Sequence, residues 1–100
     1  MPQLIITYWR DIPAQVTAKE GRTNAKRELP LRFTEAIDMA AMRSGAAGTD
    51  DYLSQWRRGA PEPCGADLEE AVAAATAKIE AEYDKERLVR LAKNGGREEA

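Results

Sequence analysis

The chain opens with two β-rich runs, one over Leu4–Trp9 and one continuing through Gln15–Ala18. A four-residue break at Arg10–Pro13 separates them, so the pattern predicts a β-hairpin. In the first run Leu4, Ile6 and Tyr8 point to one face, and Ile5, Thr7 and Trp9 to the other. Both rows are largely apolar, which predicts a strand covered on both sides. Pro13 has no N–H for a ladder and belongs at the start of the second strand or on an edge. Glu20-Gly21 begins the exit from that strand. The stretch Arg22–Glu28 is charged and without a clean period; a loop, a short helix and a third strand all fit it.

Beyond residue 30 the period changes to that of helices. Phe33, Ala36, Ile37, Ala40, Ala41 and Ser44 recur at helical spacing from a start near Pro30, with Gly45 as a left-handed stop. The small residues on this face would let the helix sit close to the sheet, leaving Met39 and Met42 to meet another helix. A second, short helix is predicted from an N-cap at Thr49 to Arg58. Asp50 and Asp51 suit its first turn, Arg57 and Arg58 its last, and Gly59 its end. Tyr52, Leu53 and Trp56 share one face of it. A stiff connector, Ala60–Gly65, leads to a long helix capped by Asp67. Its stripe is Leu68, Val72, Ala75, Ile79 and Tyr83. The stripe then fails at Arg87 and resumes, shifted round the helix, at Leu88 and Leu91. That shift predicts that the last two turns project from the domain or bind another chain. Asn94-Gly95-Gly96 ends the helix.

The predicted class is therefore α+β: an N-terminal antiparallel hairpin, with or without a third strand, packed against two to three helices, the last one long. Residues 1–93 form one small domain and 94–100 a disordered tail. A chain of 100 residues can bury roughly two-thirds of its unfolded surface around one core. No apolar run reaches the ~18 residues of a membrane span, and the N-terminus has no signal-peptide pattern. With a single cysteine, this composition places the protein in the cytoplasm.

The absence of histidine from the sequence narrows the chemistry most. Ser-His-Asp triads, Cys-His dyads and most zinc sites are excluded. No metal site or cofactor motif is expected. Net charge is −2 but unevenly spread. Lys19–Arg32 carries five positive residues against two negative, whereas Glu62 onward carries ten negative against six positive. The simplest reading is a basic connector complementing an acidic C-terminal helix within one molecule.

Four features could carry function. Tyr8, Trp9, Arg10 and Asp11 at the hairpin form either a recognition corner, with an aromatic platform beside a guanidinium and a carboxylate, or a core tryptophan with local turn chemistry. Arg22, Lys26 and Arg27 lie in the basic segment and suit an acidic partner. Overall acidity and the lack of aromatics between Lys19 and Arg32 argue against nucleic acid. Cys64 precedes a helix N-terminus, yet acidic neighbours and the lack of a histidine base favour an unreactive loop thiol. Glu35 and Asp38 lie three apart on a helix; an acid–base pair would need a cleft that nothing in the sequence implies.

The run Ile6–Val16, then Leu31-Arg32-Phe33 leading into Glu35–Asp38, then Tyr52-Leu53 before Trp56, resembles the bacterial conserved virulence factor domain family. The likeness covers about residues 3–60, with a more variable C-terminal helix, and matches the stand-alone form of the family. Its name records a phenotype and not a mechanism. The resemblance implies an accessory role beside corrinoid- and tetrahydrofolate-dependent methyl-transfer proteins. Lacking a histidine to ligate cobalt, the chain would bind a protein partner of that kind and not hold the cofactor. No catalytic residues carry over. The expectation is a non-enzymatic accessory domain that binds a protein through Tyr8–Asp11, through Arg22, Lys26 and Arg27, or through the last helix. Two other readings stand beside it: a small-molecule-binding or catalytic subunit using carboxylates near the hairpin, and a homodimer through Tyr83, Leu88 and Leu91.

Overall fold

The computed structural model describes residues 2–45, 48 and 50–97. In chain order the elements are β1 (Gln3–Trp9), β2 (Ile12–Glu20), β3 (Thr23–Glu28), α1 (Leu31–Arg43), α2 (Asp50–Ser54), β4 (Trp56–Arg58), β5 (Glu62–Pro63), α3 (Leu68–Glu82) and α4 (Lys85–Lys93). All strand pairs are antiparallel, in the order β3-β2-β1-β4, with β5 pairing further along β1. The class is α+β, as the hydrophobic pattern predicts. No helix among the described residues is long and apolar enough to cross a membrane.

The hairpin is tighter than expected: only Arg10 and Asp11 separate β1 from β2. Arg10 takes a left-handed φ of 54° to close the turn. Thr7 pairs with Gln15 but Tyr8 pairs with Pro13, so Ala14 is bulged out of register. The bulge accommodates a proline that cannot donate to the ladder, and Ala14 O accepts from Leu29 N at 3.0 Å.

Within Arg22–Glu28, the third strand forms over Thr23–Glu28. Gly21, at φ 61°, makes the turn, and Ala18 pairs with Ala25. Within β3 only Ala25 is buried, which is why the strand shows no alternation in sequence. Its formation satisfies the backbone along the outer side of β2.

Two further stretches depart from the sequence expectation. The helix expected to reach Arg58 stops at Ser54, and Trp56–Arg58 instead pairs with Thr7–Trp9. A helix this short has little cooperative stability, and with Leu53 exposed it has no continuous apolar face to bury. Pairing with β1 supplies backbone partners in its place. Gly59 continues that approach and does not cap a helix. Its N–H donates to Ile6 O at 2.8 Å, and a side chain there would meet the Tyr8 ring at 3.1 Å. The expected cap Thr49 and the Asp51 side chain lie outside the described residues.

The helix from Asp67 is capped as predicted, with Asp67 Oδ1 accepting from Glu70 N at 3.1 Å. It does not run on to Lys93. α3 ends at Tyr83, and Asp84 Oδ1 accepts from Arg87 N at 2.8 Å to start a new helix. The shift in the apolar stripe marks this break. α4 does not project but lies against α1, with Leu88, Leu91 and Ala92 buried. Leu88 and Leu91 are thus part of the chain's own core, and a dimer through them and Tyr83 would require α4 to lift away. The split also separates charge. α3 has Glu69, Glu70, Glu80 and Glu82 against Lys78, while α4 has Lys85, Arg87, Arg90 and Lys93 against Glu86.

One hydrophobic cluster joins these elements. Trp9, Ile12, Val16, Phe33, Ile37 and Val72 are its largest fully enclosed apolar side chains. α3 covers β2 and β3, and Leu4 and Ile6 pack on the cluster from β1. Ile5 and Trp9 on the opposite row of β1 are also buried, so both rows are wholly or partly covered. On α1 the face from Phe33 to Ala41 is buried as predicted, and Gly45 stops the helix at φ 76°. Met39 and Met42 stay exposed.

Because α4 belongs to the core, Leu91→Ala will lower unfolding stability by about 2–5 kcal/mol, as for other buried leucines. Urea denaturation measures this. A loss under ~0.5 kcal/mol would match an exposed, projecting helix.

Candidate functional site

The hairpin corner begins with Trp9, which is fully buried and offers no platform to a ligand. Its Nε1 donates to Tyr52 O at 2.8 Å, and its ring lies 5.7 Å from that of Tyr52. Tyr52 in turn meets Trp56 edge-on at 6.1 Å. The Arg10 guanidinium lies 4.8 Å over the Trp9 ring, and its Nη1 donates to Gly95 O at 2.7 Å. Asp11 N donates to Gly96 O at 2.8 Å, and Arg10 N to Gln55 O at 3.1 Å. The turn is therefore clasped from two sides.

The Asn94–Arg97 segment was expected to begin a disordered tail. Instead it turns back through Gly95 and Gly96, at φ 68° and 89°, to close this clasp. Residues 98–100 lie outside the described residues. A Cβ on Gly96 would come within 2.9 Å of Trp9 Cζ3, so both its positive φ and its lack of a side chain are needed.

On the outer side of the turn, Arg57 lies 4.5 Å over the Tyr8 ring. Its Nε donates to Arg10 O at 2.9 Å, and its Nη2 approaches Asp11 Oδ1 at 3.4 Å. Arg87 lies 4.0 Å over Tyr83. These side chains surround a shallow depression of about 370 Å³. Burial pushes the Tyr8 phenol above its ordinary pKa of 10.0. Arg57 opposes the shift, while Glu62, Glu82 and Asp11 add to it. Carboxylates and guanidiniums of both signs thus meet here, so the depression does not concentrate one charge.

The other half of the expected site lies elsewhere. Arg22 occupies the β2–β3 turn, and Lys26 and Arg27 lie on β3 opposite Thr17 and Val16. They sit up the hairpin from Tyr8 and Asp11, and all three are exposed. Among the described residues no ion pair ties them to the acidic face of α3, so the expected internal complementarity does not form as ion pairs. By strand alternation Lys26 shares a face with Lys19, while Arg27 shares the opposite face with Ala25.

A cleft of about 430 Å³ lies between the sheet and α1–α2, lined by Thr7, Gln15, Glu28, Thr34, Tyr52 and Trp56, among others. The remaining candidates do not assemble. Glu35 and Asp38 are exposed on α1 and line different depressions. Cys64 is a half-buried free thiol packed against the core. Among the described residues no three Asp, Glu or Cys side chains are grouped to hold a metal.

Sequence reasoning missed Arg57, Arg87 and Gly96. The sequence pattern places Arg57 in a helix and marks Arg87 as the residue at which the apolar stripe fails. The Asn94-Gly95-Gly96 triplet does signal a tight turn, but not what it turns against.

A family model described as Virulence factor matches residues 7–92. The chain belongs to this family. The match runs through α4, well past the residue 60 at which the likeness was expected to fade, and so takes in the clasp's hairpin side, β3 and both helices α1 and α4. No curated protein and no solved structure matches the chain. Virulence factor membership carries no residue role, so the geometry alone ranks the surfaces of this family member. It makes the corner chiefly a structural clasp and leaves β3 an exposed, charged edge strand.

Two measurements follow from the clasp. Gly96→Ala will destabilise the fold by more than ~2 kcal/mol, through left-handed strain and the Trp9 contact together. Gly21→Ala, equally left-handed but facing open space, will cost about 1 kcal/mol. Urea midpoints compare the two. Tyr8 makes a pH prediction. Its folded-state pKa is raised, so the unfolded chain loses the phenolic proton first, and stability falls as pH climbs past the ordinary value of 10.0. Tyr8→Phe will show a shallower alkaline decline in melting temperature; parallel profiles for both proteins would contradict the assignment.

Proposed function

We propose that this member of the virulence factor family is a non-enzymatic accessory module whose basic edge strand, β3, receives an extended acidic segment of a protein partner. The observation that carries this reading is β3 itself: an edge strand of six residues with five exposed. Leu29 N points inward to Ala14 O, so by ladder alternation the backbone groups of Asn24, Lys26 and Glu28 point outward. Such an edge can take another strand by β-augmentation. Arg22, Lys26 and Arg27, with Lys19 beside them, repel a second copy of the same edge and attract a negatively charged strand.

On the strength of the family resemblance we take the partner to be a corrinoid- or tetrahydrofolate-dependent methyl-transfer protein, with this chain acting beside it in the cytoplasm. The absence of histidine from the sequence supports a role that does not ligate the cobalt. The hairpin corner would then support the sheet and not contact the partner directly.

The test is capture of the tagged protein from its native host at native expression, alongside two variants. Lys26→Pro removes an outward N–H, and Lys26→Glu with Arg27→Glu reverses the charge. Wild type will recover a methyl-transfer protein in stoichiometric amount. Both variants will recover at least ~10-fold less at unchanged melting temperature, a change of about 1.4 kcal/mol in binding. Equal recovery by all three, or no partner with wild type, would reject the reading.

A further inference from the structure

The outer faces of α1 and α4 form a second surface, independent of β3. On α1, Leu31, Met39 and Met42 are 69%, 45% and 65% exposed. They lie at helical spacing with Glu35 and Asp38, on the side of the helix opposite its buried face. On α4, Val89 is 40% exposed between Lys85 and Lys93, which lie one turn to either side of it. Met39 and Val89 line one groove of about 240 Å³ between the two helices, with Ala36, Leu88 and Ala92 along its walls; Glu35 and Lys85 also line it, as does Arg32, whose guanidinium is turned back to donate to Glu80 O at 3.2 Å. The surface therefore consists of an acidic strip on α1 (Glu35 and Asp38), an apolar groove edged by Arg32, and on α4 a mainly basic strip of Lys85, Arg90 and Lys93 with Glu86 among them.

We propose that this face is the interface of a homodimer, with a second copy of the chain as its occupant. The argument is self-complementarity. A twofold axis along the groove would bring the acidic strip of each copy onto the basic strip of the other, and Met39 and Val89 onto their counterparts at the centre. Glu35 and Asp38 would face Lys85, Arg90 and Lys93 of the partner in both halves, which fixes the register as well as attracting. A face carrying both signs in adjacent strips matches itself better than it matches a ligand of one charge. This dimer leaves Leu88 and Leu91 in the monomer core and leaves β3 open.

Two helix faces of this length make a small interface, so a Kd on the order of 10 µM is expected. Sedimentation equilibrium over a concentration series spanning that value reads it directly. The mass should rise from 11.1 kDa toward twice that value. Met39→Glu and Val89→Glu, both at exposed sites, should each weaken association at least ~10-fold without lowering the melting temperature. Glu35→Lys should also weaken it, and Glu35→Lys combined with Lys85→Glu should restore it. A mass of 11.1 kDa at every concentration would overturn the proposal. So would a dimer unaffected by Met39→Glu, since it must use another face. So would a monomer whose groove is protected only by a foreign chain, which would assign the face to that partner.

Discussion

The enclosure of Trp9 is the interaction on which the rest of the structure depends. An indole of this size is stable inside only if its surface is covered and its N–H finds an acceptor. Both conditions are met by parts of the chain distant in sequence. Tyr52 provides the carbonyl, Arg10 stacks on the ring, and Gly96 closes over it without a side chain. Removing such a side chain typically costs about 3–5 kcal/mol, a large share of the stability of a small domain. The same contact draws together the hairpin turn, α2 and the C-terminal segment.

This requirement accounts for the two largest surprises in the fold. Once Tyr52 is held over Trp9, the following residues lie beside the open edge of β1. Trp56–Arg58 then gains more from pairing with Thr7–Trp9 than from extending a helix with no buried face. Likewise, α4 must return to α1 to deliver Gly95 and Gly96 to the turn. The break at Tyr83–Asp84 makes that return possible, and the Asp84 cap stabilises it. The corner that looks most like a recognition element is thus mainly a fastening, with Tyr8, Asp11 and Arg57 forming its outer skin.

The clasp leaves other charged surfaces open. β3 ends the sheet with its outer edge unpaired, and its charges are not drawn into ion pairs with α3. Splitting the C-terminal helix divides its charge into an acidic α3 and a basic α4, which the sequence shows only as one acidic stretch. Both proposed interfaces depend on this arrangement. An extended acidic strand suits β3, and a second copy suits the α1–α4 face, so the two contacts are compatible in one assembly.

Local chemistry determined a good deal by itself. The hairpin follows from two β-rich runs and a turn, the buried face of α1 from its spacing, and the start of α3 from Asp67. Each is a contest between near neighbours along the chain, which residue identity decides. The lack of histidine restricts catalysis without reference to any structure. The family likeness was also legible in Ile6–Val16 and Leu31–Asp38. What only the tertiary structure decided was the fate of segments with weak local preference. Thr23–Glu28 became a strand because β2 offered an unpaired edge, and Trp56–Arg58 because β1 did. Leu88 and Leu91 looked like a free apolar pair until α1 supplied a surface for them. The division between Trp9 as core and Tyr8 as rim is of the same kind. Alternation places the two on opposite faces, but only packing from residues 52 and 96 says which face is dry.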